Sequence, residues 1–340
     1  MPLTNQKIQL AERPSGLPSK DTFHFADIPI DDPKLGEVLV KTLYVSVDPY
    51  MRGRMENVKS YVEPFELHEP INGGVIGEVV KSHAEKFQEG DIITGNLPWQ
   101  HYSIASEVEV RSIDPEAAPL TAHLGILGMP GLTAYFGMTD IGSPKEGETV
   151  VVSGGAGAVG SAAGQIAKIS GARVVGIAGS NEKTALMREL GFDETINYRT
   201  EKKMSEAIKR TCPNGVDVYF DNVGGEISDV VLNRLNTFAR IVQCGAIASY
   251  NVEGEDIGPR VQTKLIKSSA LMKGFIVADY ASRFQEGARQ LGQWLNEGKL
   301  KYEETIVEGF ENIPDAFLGL FRGENTGKQI VKTAETEHNS

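Results

Sequence analysis

The sequence predicts an α/β chain in which a doubly wound parallel sheet is joined to a β-rich part. Three observations carry this. From residue 148 to 296, strand-like and helix-like segments alternate, the rhythm of a parallel sheet covered on both faces. The first of those strands runs into a glycine-rich turn and then an alanine-rich helix. The opening 125 residues, by contrast, lack helical periodicity and break into short apolar runs between Gly, Pro and Asp turns. At 340 residues the chain is long enough for two cores.

Taken in order, residues 37–47 (EVLVKTLYVSV) and 75–80 read as strands of a partly closed antiparallel sheet or barrel. Residues 124–138 (LGILGMPGLTAYFGM) are apolar nearly all round and are expected between two packed bodies. Strands follow at 148–153, 172–178, 194–197, 216–222, 239–245 and 271–277. Crossover helices are expected at 158–170, 182–190, 201–211, 226–235 and 283–296. The last 40 or so residues return to strand, helix and strand, with a polar end (TAETEHNS) expected to fray.

The net charge of −12 disfavours a nucleic-acid backbone or an anionic lipid surface as main partner. Two cysteines, Cys212 and Cys244, are too few for a disulfide framework or a four-cysteine zinc site. The opening MPLTNQKIQL lacks a signal-peptide apolar core, and no run has the length of a membrane span. A cytoplasmic setting is the expectation.

The turn TVVVSGGAGAVG (149–160) contains G-x-G-x-x-G at Gly155, Gly157 and Gly160. The pattern is weak alone, but here it sits between a β-branched strand and a helix. Missing side chains let backbone N–H groups approach a pyrophosphate, and the helix N-terminus adds partial positive charge. This is the phosphate-binding turn of a Rossmann domain; a glycine turn that binds nothing is the alternative. Sites for NAD carry an acid about 20 residues on, at the end of the second strand. Here that stretch reads Ile177-Ala178-Gly179-Ser180-Asn181-Glu182-Lys183, with no acid at the strand end. Lys183 suits a 2′-phosphate, so NADP is expected over NAD. Glu182 fits as a first-turn acid facing the helix dipole, and Lys183 has a plain solvated reading.

At this point the sequence resembles the medium-chain dehydrogenase/reductase superfamily. Within it the likeness is to zinc-free double-bond reductases: leukotriene B4 12-hydroxydehydrogenase/prostaglandin reductase, plant alkenal reductases and bacterial curcumin reductase. The motifs are VDPYMR (47–52), GMPGLTAY (128–135), AGAVG (156–160), GSNEK (179–183), Asn197-Tyr198, DNVGG (221–225), CGAIASYN (244–251) and GENTGK (323–328). The departure is Gly154-Gly155, where these reductases more often carry alanines.

The resemblance implies a GroES-like, β-rich barrel catalytic domain over residues 1–125. A Rossmann NADP-binding domain would cover 126–298, and 299–340 would return to the catalytic domain, usually in a homodimer. It also implies where NADP(H) lies. Gly155, Gly157, Ala158, Val159 and Gly160 would hold the pyrophosphate, and Ser180, Lys183 and Tyr198 the 2′-phosphate end. Asn222 would lie in the strand-end crevice, as its place at a strand end also suggests. Cys244, Gly245 and the run to Tyr250, with the backbone of Phe275, Ile276 and Val277, would border the nicotinamide. Asn325 would reach the cofactor from the C-terminal segment. Asn222 and Asn325 also read as ordinary turn residues.

Zinc-dependent members use Cys, His and Cys or Asp ligands. Here the corresponding stretches read Val45-Ser46-Val47-Asp48 and Asn72-Gly73-Gly74. The six histidines are scattered without paired spacing. No catalytic or structural zinc is expected.

Without a Lewis acid an unactivated ketone is a hard substrate, whereas a conjugated alkene can spread charge onto its carbonyl oxygen. The expected reaction is therefore hydride transfer to the β-carbon of an enone or enal, with a proton donor for the α-carbon. Tyr250 is the first candidate acid, with an aromatic wall as its alternative role; Tyr50 is the second, with a turn-closing core tyrosine as its alternative. Arg52 and Arg54 read either as attractors of a carboxylate or phosphate or as solvated surface charges. Quinone reduction on the same scaffold, and a non-enzymatic NADPH-binding protein, are the competing functions.

Overall fold

The structure, a computed structural model, describes residues 5–336. The last four residues of the polar tail, with His338, lie outside that range, as do the first four. The elements are β1 (Asn5–Leu10), β2 (Phe23–Ile28), β3 (Glu37–Ser46), α1 (Met51–Arg54), β4 (Asn72–Ser82), β5 (Ile92–Pro98), β6 (Tyr102–Ser106) and β7 (Val110–Ser112). Next come α2 (Met129–Phe136), β8 (Thr149–Ser153), α3 (Ala158–Ile169), β9 (Arg173–Ala178), α4 (Asn181–Glu189), β10 (Glu194–Asn197), α5 (Met204–Thr211) and β11 (Val216–Asp221). Then follow α6 (Gly225–Val231), β12 (Leu235–Gln243), α7 (Gln262–Ser268), β13 (Leu271–Gly274), α8 (Phe284–Asn296), β14 (Glu304–Glu308), α9 (Ile313–Arg322) and β15 (Lys328–Lys332). They form two compact units. One holds the residues up to Leu124, Thr305–Glu324 and those from Gln329; the other holds Gly125–Glu304 and Asn325–Lys328.

The β-rich unit is built on a sheet of order β14-β15-β3-β4-β5-β7, with β6 also on β3. The first half of β3 pairs with β6 and its second half with β15, and its register shifts between Thr42 and Tyr44. Two partners thus share the length of one strand, and the sheet splits rather than wraps. Among the described residues the pairing is an open path, so the barrel form of the expectation is corrected to an open sheet. Apolar side chains cover both faces. Phe23, Trp99 and Phe317 meet on one, with Trp99 6.4 Å from each of the other two rings. Leu43, Ile76, Ile92 and Ile330 fill the other. Each such side chain contributes about 1.5–3 kcal/mol on burial.

The second unit is the doubly wound sheet. Its order β10-β9-β8-β11-β12-β13 is 3-2-1-4-5-6 in the unit's own numbering, and its strands pair in parallel. β8 is buried at every position, as a central parallel strand covered on both faces must be. α2 packs within this unit on α3 and α8.

Several bounds differ from expectation. α5 begins at Met204, and α6 ends at Val231 in a 3-10 turn, Leu232–Arg234. β12 is Leu235–Gln243 and so starts earlier than expected. β13 stops at Gly274, because Phe275 turns to pack edge-on against Tyr280, 6.2 Å between ring centres. Helix α7 was not expected; it buries no residue, so it leaves no apolar stripe in the sequence.

Candidate active site

The glycine turn joins β8 to α3 at the carboxyl end of the sheet. Gly154 takes φ +61°, a left-handed conformation that glycine adopts without strain. A Cβ at Gly160 would lie 2.2 Å from the Gly154 carbonyl oxygen, so the helix can approach the turn only with glycine there. At Gly157 a Cβ would meet just that oxygen, at 3.3 Å. No side chain caps Gly157 at the head of α3, so the first-turn N–H groups stay available to an anion. The C-terminal segment returns here: Gly327 N donates to Ala156 O at 2.8 Å, and Asn325 Nδ2 donates to Gly327 O at 2.9 Å.

A second group gathers at the ends of β9 and β10. Ser180 caps α4, its Oγ accepting from Lys183 N at 3.2 Å. A Cβ at Gly179 would lie 2.7 Å from Tyr198 Oη, so the glycine makes room for the phenol. Arg199 lies over the Tyr198 ring, 5.9 Å from its centre. Burial, and then the positive charge of Arg199, hold the Lys183 ammonium below the usual lysine range. Two cations close enough for their charges to interact, with no acid at the strand end, suit a phosphate dianion better than a free sugar hydroxyl.

A third group forms at the ends of β8, β11 and β12. Asn222 Nδ2 donates to Ser153 O at 2.8 Å. Cys244 N and Gly245 N both donate to Asp221 O, at 2.9 and 3.0 Å, which sets this pair beside Asn222. Burial and the nearby Asp221 carboxylate push the Cys244 thiol up to about 12. Tyr250 folds back on its own turn: its Oη accepts from Ala246 N at 3.3 Å and keeps its proton to donate. Burial raises its pKa. Phe275 and Ile276 are irregular and Val277 opens a 3-10 helix, so none of the three is strand, and a Cβ at Gly137 would lie 2.9 Å from Phe275 Cζ.

Tyr50 belongs to the other unit, at the head of α1. Burial, and then the Asp48 carboxylate, raise its pKa; Arg54 faces it through a side-chain hydrogen bond. The arginines of this stretch are neither surface charges nor open to an incoming anion. Arg52 is 2% exposed and donates through Nε and Nη2 to Gly16 O, at 3.2 and 2.9 Å, and through Nη1 to Glu56 at 3.0 Å. Arg54 donates to Glu63 O at 2.9 Å and to Asn72 Oδ1 at 2.7 Å, and stacks on Phe65. Both expectations for them are corrected: they clamp loop carbonyls, because a buried guanidinium must satisfy its donors.

Two family models match the chain, "N-terminal domain of oxidoreductase" over residues 6–113 and "Zinc-binding dehydrogenase" over 158–293. A protein of Bacillus subtilis (strain 168), provisionally named NADP-dependent oxidoreductase YfmJ, is 65% identical over 338 residues, covering 98% of this chain and 99% of its own. The 2-alkenal reductase (NADP(+)-dependent) of Nicotiana tabacum is 41% identical over 338 residues, 97% of each chain. The chain belongs to this family of NADP-dependent oxidoreductases. A crystal structure of CurA from Vibrio vulnificus in complex with NADPH superposes on the oxidoreductase with a TM-score of 0.93 at 42% identity, covering 97% of this chain and 99% of that one. Among the described residues of the oxidoreductase, no group of three or more His, Cys, Asp or Glu could hold a metal ion. No helix among them is long and apolar enough to cross a membrane.

The structure brings the glycine turn, Asn222, Cys244, Gly245 and Asn325 to the carboxyl end of one sheet, with Ser180, Lys183 and Tyr198 at neighbouring strand ends. Sequence reasoning passed over Arg199 and Asp221. Arg199 directly follows the Asn197-Tyr198 motif, and Asp221 is a carboxylate ending the apolar strand Val216–Asp221. Those were the available signals.

Proposed function

We propose that the oxidoreductase uses NADPH to reduce the carbon–carbon double bond of α,β-unsaturated carbonyl compounds. The observation that carries the cofactor choice is the Lys183–Arg199–Tyr198 group at a strand end without an acid. The enone class rests on the family: the Nicotiana tabacum relative is a 2-alkenal reductase. When bound, NADPH would supply a hydride to the β-carbon. The chain's own part is to bind and orient. Gly157, Ala158, Val159 and Gly160 receive the pyrophosphate at the head of α3, and Lys183, Arg199 and Tyr198 receive the 2′-phosphate. Asn222, Cys244, Gly245, Phe275, Ile276, Val277 and Asn325 border the rest. Tyr250 holds a proton on Oη with its lone pair occupied by Ala246 N, which leaves the O–H to meet a developing enolate oxygen. Tyr50 is the second donor.

In this reading residues 126–298 carry the cofactor, and 1–125 with 299–340 carry the catalytic domain. The enzyme forms a homodimer. The outer edge of β13 supports this, since no described strand pairs there, and Leu271 on it is 52% exposed.

The test is turnover of purified protein with NADPH on a short 2-alkenal, an aryl enone and a simple quinone in parallel. Consumption of the alkenal and enone, with saturated carbonyl products, is expected. Turnover of the quinone alone makes the enzyme a quinone reductase, and tight NADPH binding with no turnover makes it a binding protein.

A further inference from the structure

We infer that Asp221 and Ser153 are positioning residues for Asn222, fixing its side-chain amide so that the carbonyl oxygen is left to accept a hydroxyl of the bound cofactor. The inference rests on the reading of Asn222 as a cofactor contact.

Asp221 is fully buried at the end of β11. A carboxylate in that position is costly unless donors surround it. Its Oδ1 takes four: Ser153 Oγ at 2.8 Å, Tyr219 Oη at 2.9 Å, Val223 N at 3.0 Å and Gly224 N at 2.9 Å. Its Oδ2 is buried with no hydrogen-bond partner among the described residues. Its main-chain carbonyl accepts from Cys244 N and Gly245 N. One residue therefore ties together the ends of β8, β11 and β12.

Ser153 passes that order to Asn222. A carboxylate cannot donate, so the Ser153 hydroxyl must spend its proton on Asp221. That turns an Oγ lone pair to the Asn222 N–H, at 2.9 Å. The Asn222 side chain then donates through Nδ2 to the Ser153 carbonyl at 2.8 Å. The opposite amide orientation would place two carbonyl oxygens at that distance, so the network allows one orientation. Asn222 Oδ1 takes no donor among the described residues.

The chemistry of the vacant acceptor selects its ligand. A phosphate oxygen is itself an acceptor, so it cannot bond Oδ1 and would meet it with like partial charge. A neutral hydroxyl can donate to Oδ1. The subsite suits a sugar hydroxyl of the dinucleotide, whereas the phosphates belong to the helix α3 head and to the Lys183 group.

The experiment is calorimetric titration of NADPH and of NADH into wild type, Ser153→Ala, Asn222→Ala and the double variant. Ser153→Ala is expected to weaken both cofactors about tenfold and equally, because the 2′-phosphate is not involved. In the Asn222→Ala background the same change is expected to cost less than about twofold, since two residues acting through one group are not additive. Equal losses in both backgrounds, or a silent Ser153→Ala in a wild type that binds NADPH, overturn the inference alone. A wild type that does not bind NADPH overturns the underlying reading and the inference with it. If Ser153→Ala does not fold, Asn222→Asp carries the test. It keeps an outward oxygen but cannot donate to the Ser153 carbonyl. Weakened binding of both cofactors is expected, and wild-type affinity overturns the inference.

Discussion

The amide of Gly327 donates to the carbonyl of Ala156 at 2.8 Å, stitching the returning C-terminal segment onto the glycine turn. Gly327 takes φ +66°, and a Cβ there would lie 1.8 Å from Glu303 O. The GENTGK motif is thus a backbone device: its last glycine permits the approach, and Asn325 is anchored by the bond from Nδ2 to Gly327 O. This is why a residue so late in the chain can lie beside residues of the first βα turn.

The last two glycines of that motif should respond differently to substitution. Gly157→Val meets a single oxygen at 3.3 Å, so the variant should fold with native circular dichroism and lose NADPH binding, because the side chain occupies the pyrophosphate approach. Gly160→Val drives a carbon against backbone at 2.2 Å and should destabilise the fold by about 3 kcal/mol or more. Normal NADPH affinity in Gly157→Val would mean that the phosphate lies elsewhere.

Cofactor preference should depend on Lys183. NADPH is expected to bind at least about tenfold tighter than NADH, ~1.4 kcal/mol, and Lys183→Ala should remove most of that gap while sparing NADH. The ammonium is held low by burial and by Arg199, and a phosphate favours its charged form. As pH rises through that lowered pKa the charge is lost. The preference for NADPH should therefore decay below the ordinary lysine range. A ratio independent of pH up to that range would exclude Lys183 as the discriminating charge.

Tyr250→Phe should lower kcat about tenfold to a hundredfold with NADPH affinity unchanged, less than the loss of a sole oxyanion donor because another hydroxyl can substitute in part. An effect on KM alone would make Tyr250 a wall. Full kcat on several enones would pass the proton-donor role to Tyr50.

Arg52→Met should act on stability. It removes the guanidinium bonds to Gly16 O and Glu56 and leaves buried carbonyls without donors, a loss of about 3 kcal/mol. The denaturant midpoint reads it directly. An unchanged midpoint would show that these bonds contribute nothing net.

If the proposed enone reduction holds, unreactive thiols protect the enzyme from its own electrophilic substrates. Cys244 is pushed up to about 12, and burial also raises the Cys212 thiol. Alkylation of the native protein by iodoacetamide at pH 8 should run at least about tenfold slower than that of a free thiol, because the thiolate is the nucleophile. Rapid labelling of Cys244, read by mass spectrometry, would contradict this.

The doubly wound sheet was legible because its signals are local. β8 carries three consecutive valines between Thr149 and Ser153, and its glycine turn and helix follow without a gap. The turn glycines and Lys183 could be named for the same reason: each owes its reading to neighbours a few residues away. The ends of β12 and β13 were misplaced because they depend on partners elsewhere. Phe275 leaves the strand to meet Tyr280 and Gly137, and no periodicity within the segment records that.

The alternation of segments, the glycine spacing at 155–160 and the residues at 177–183 by themselves determined the fold class, the glycine turn and the expectation of NADP over NAD, since backbone sterics and charge act at short range. Only the tertiary structure decided three further matters. The β-rich sheet stays open because β3 divides its length between β6 and β15. Arg52 and Arg54 became buried clamps because loops distant in sequence present carbonyls to them. Asp221 became the knot of three strand ends because hydrogen bonding to a buried carboxylate draws donors from wherever the fold has placed them.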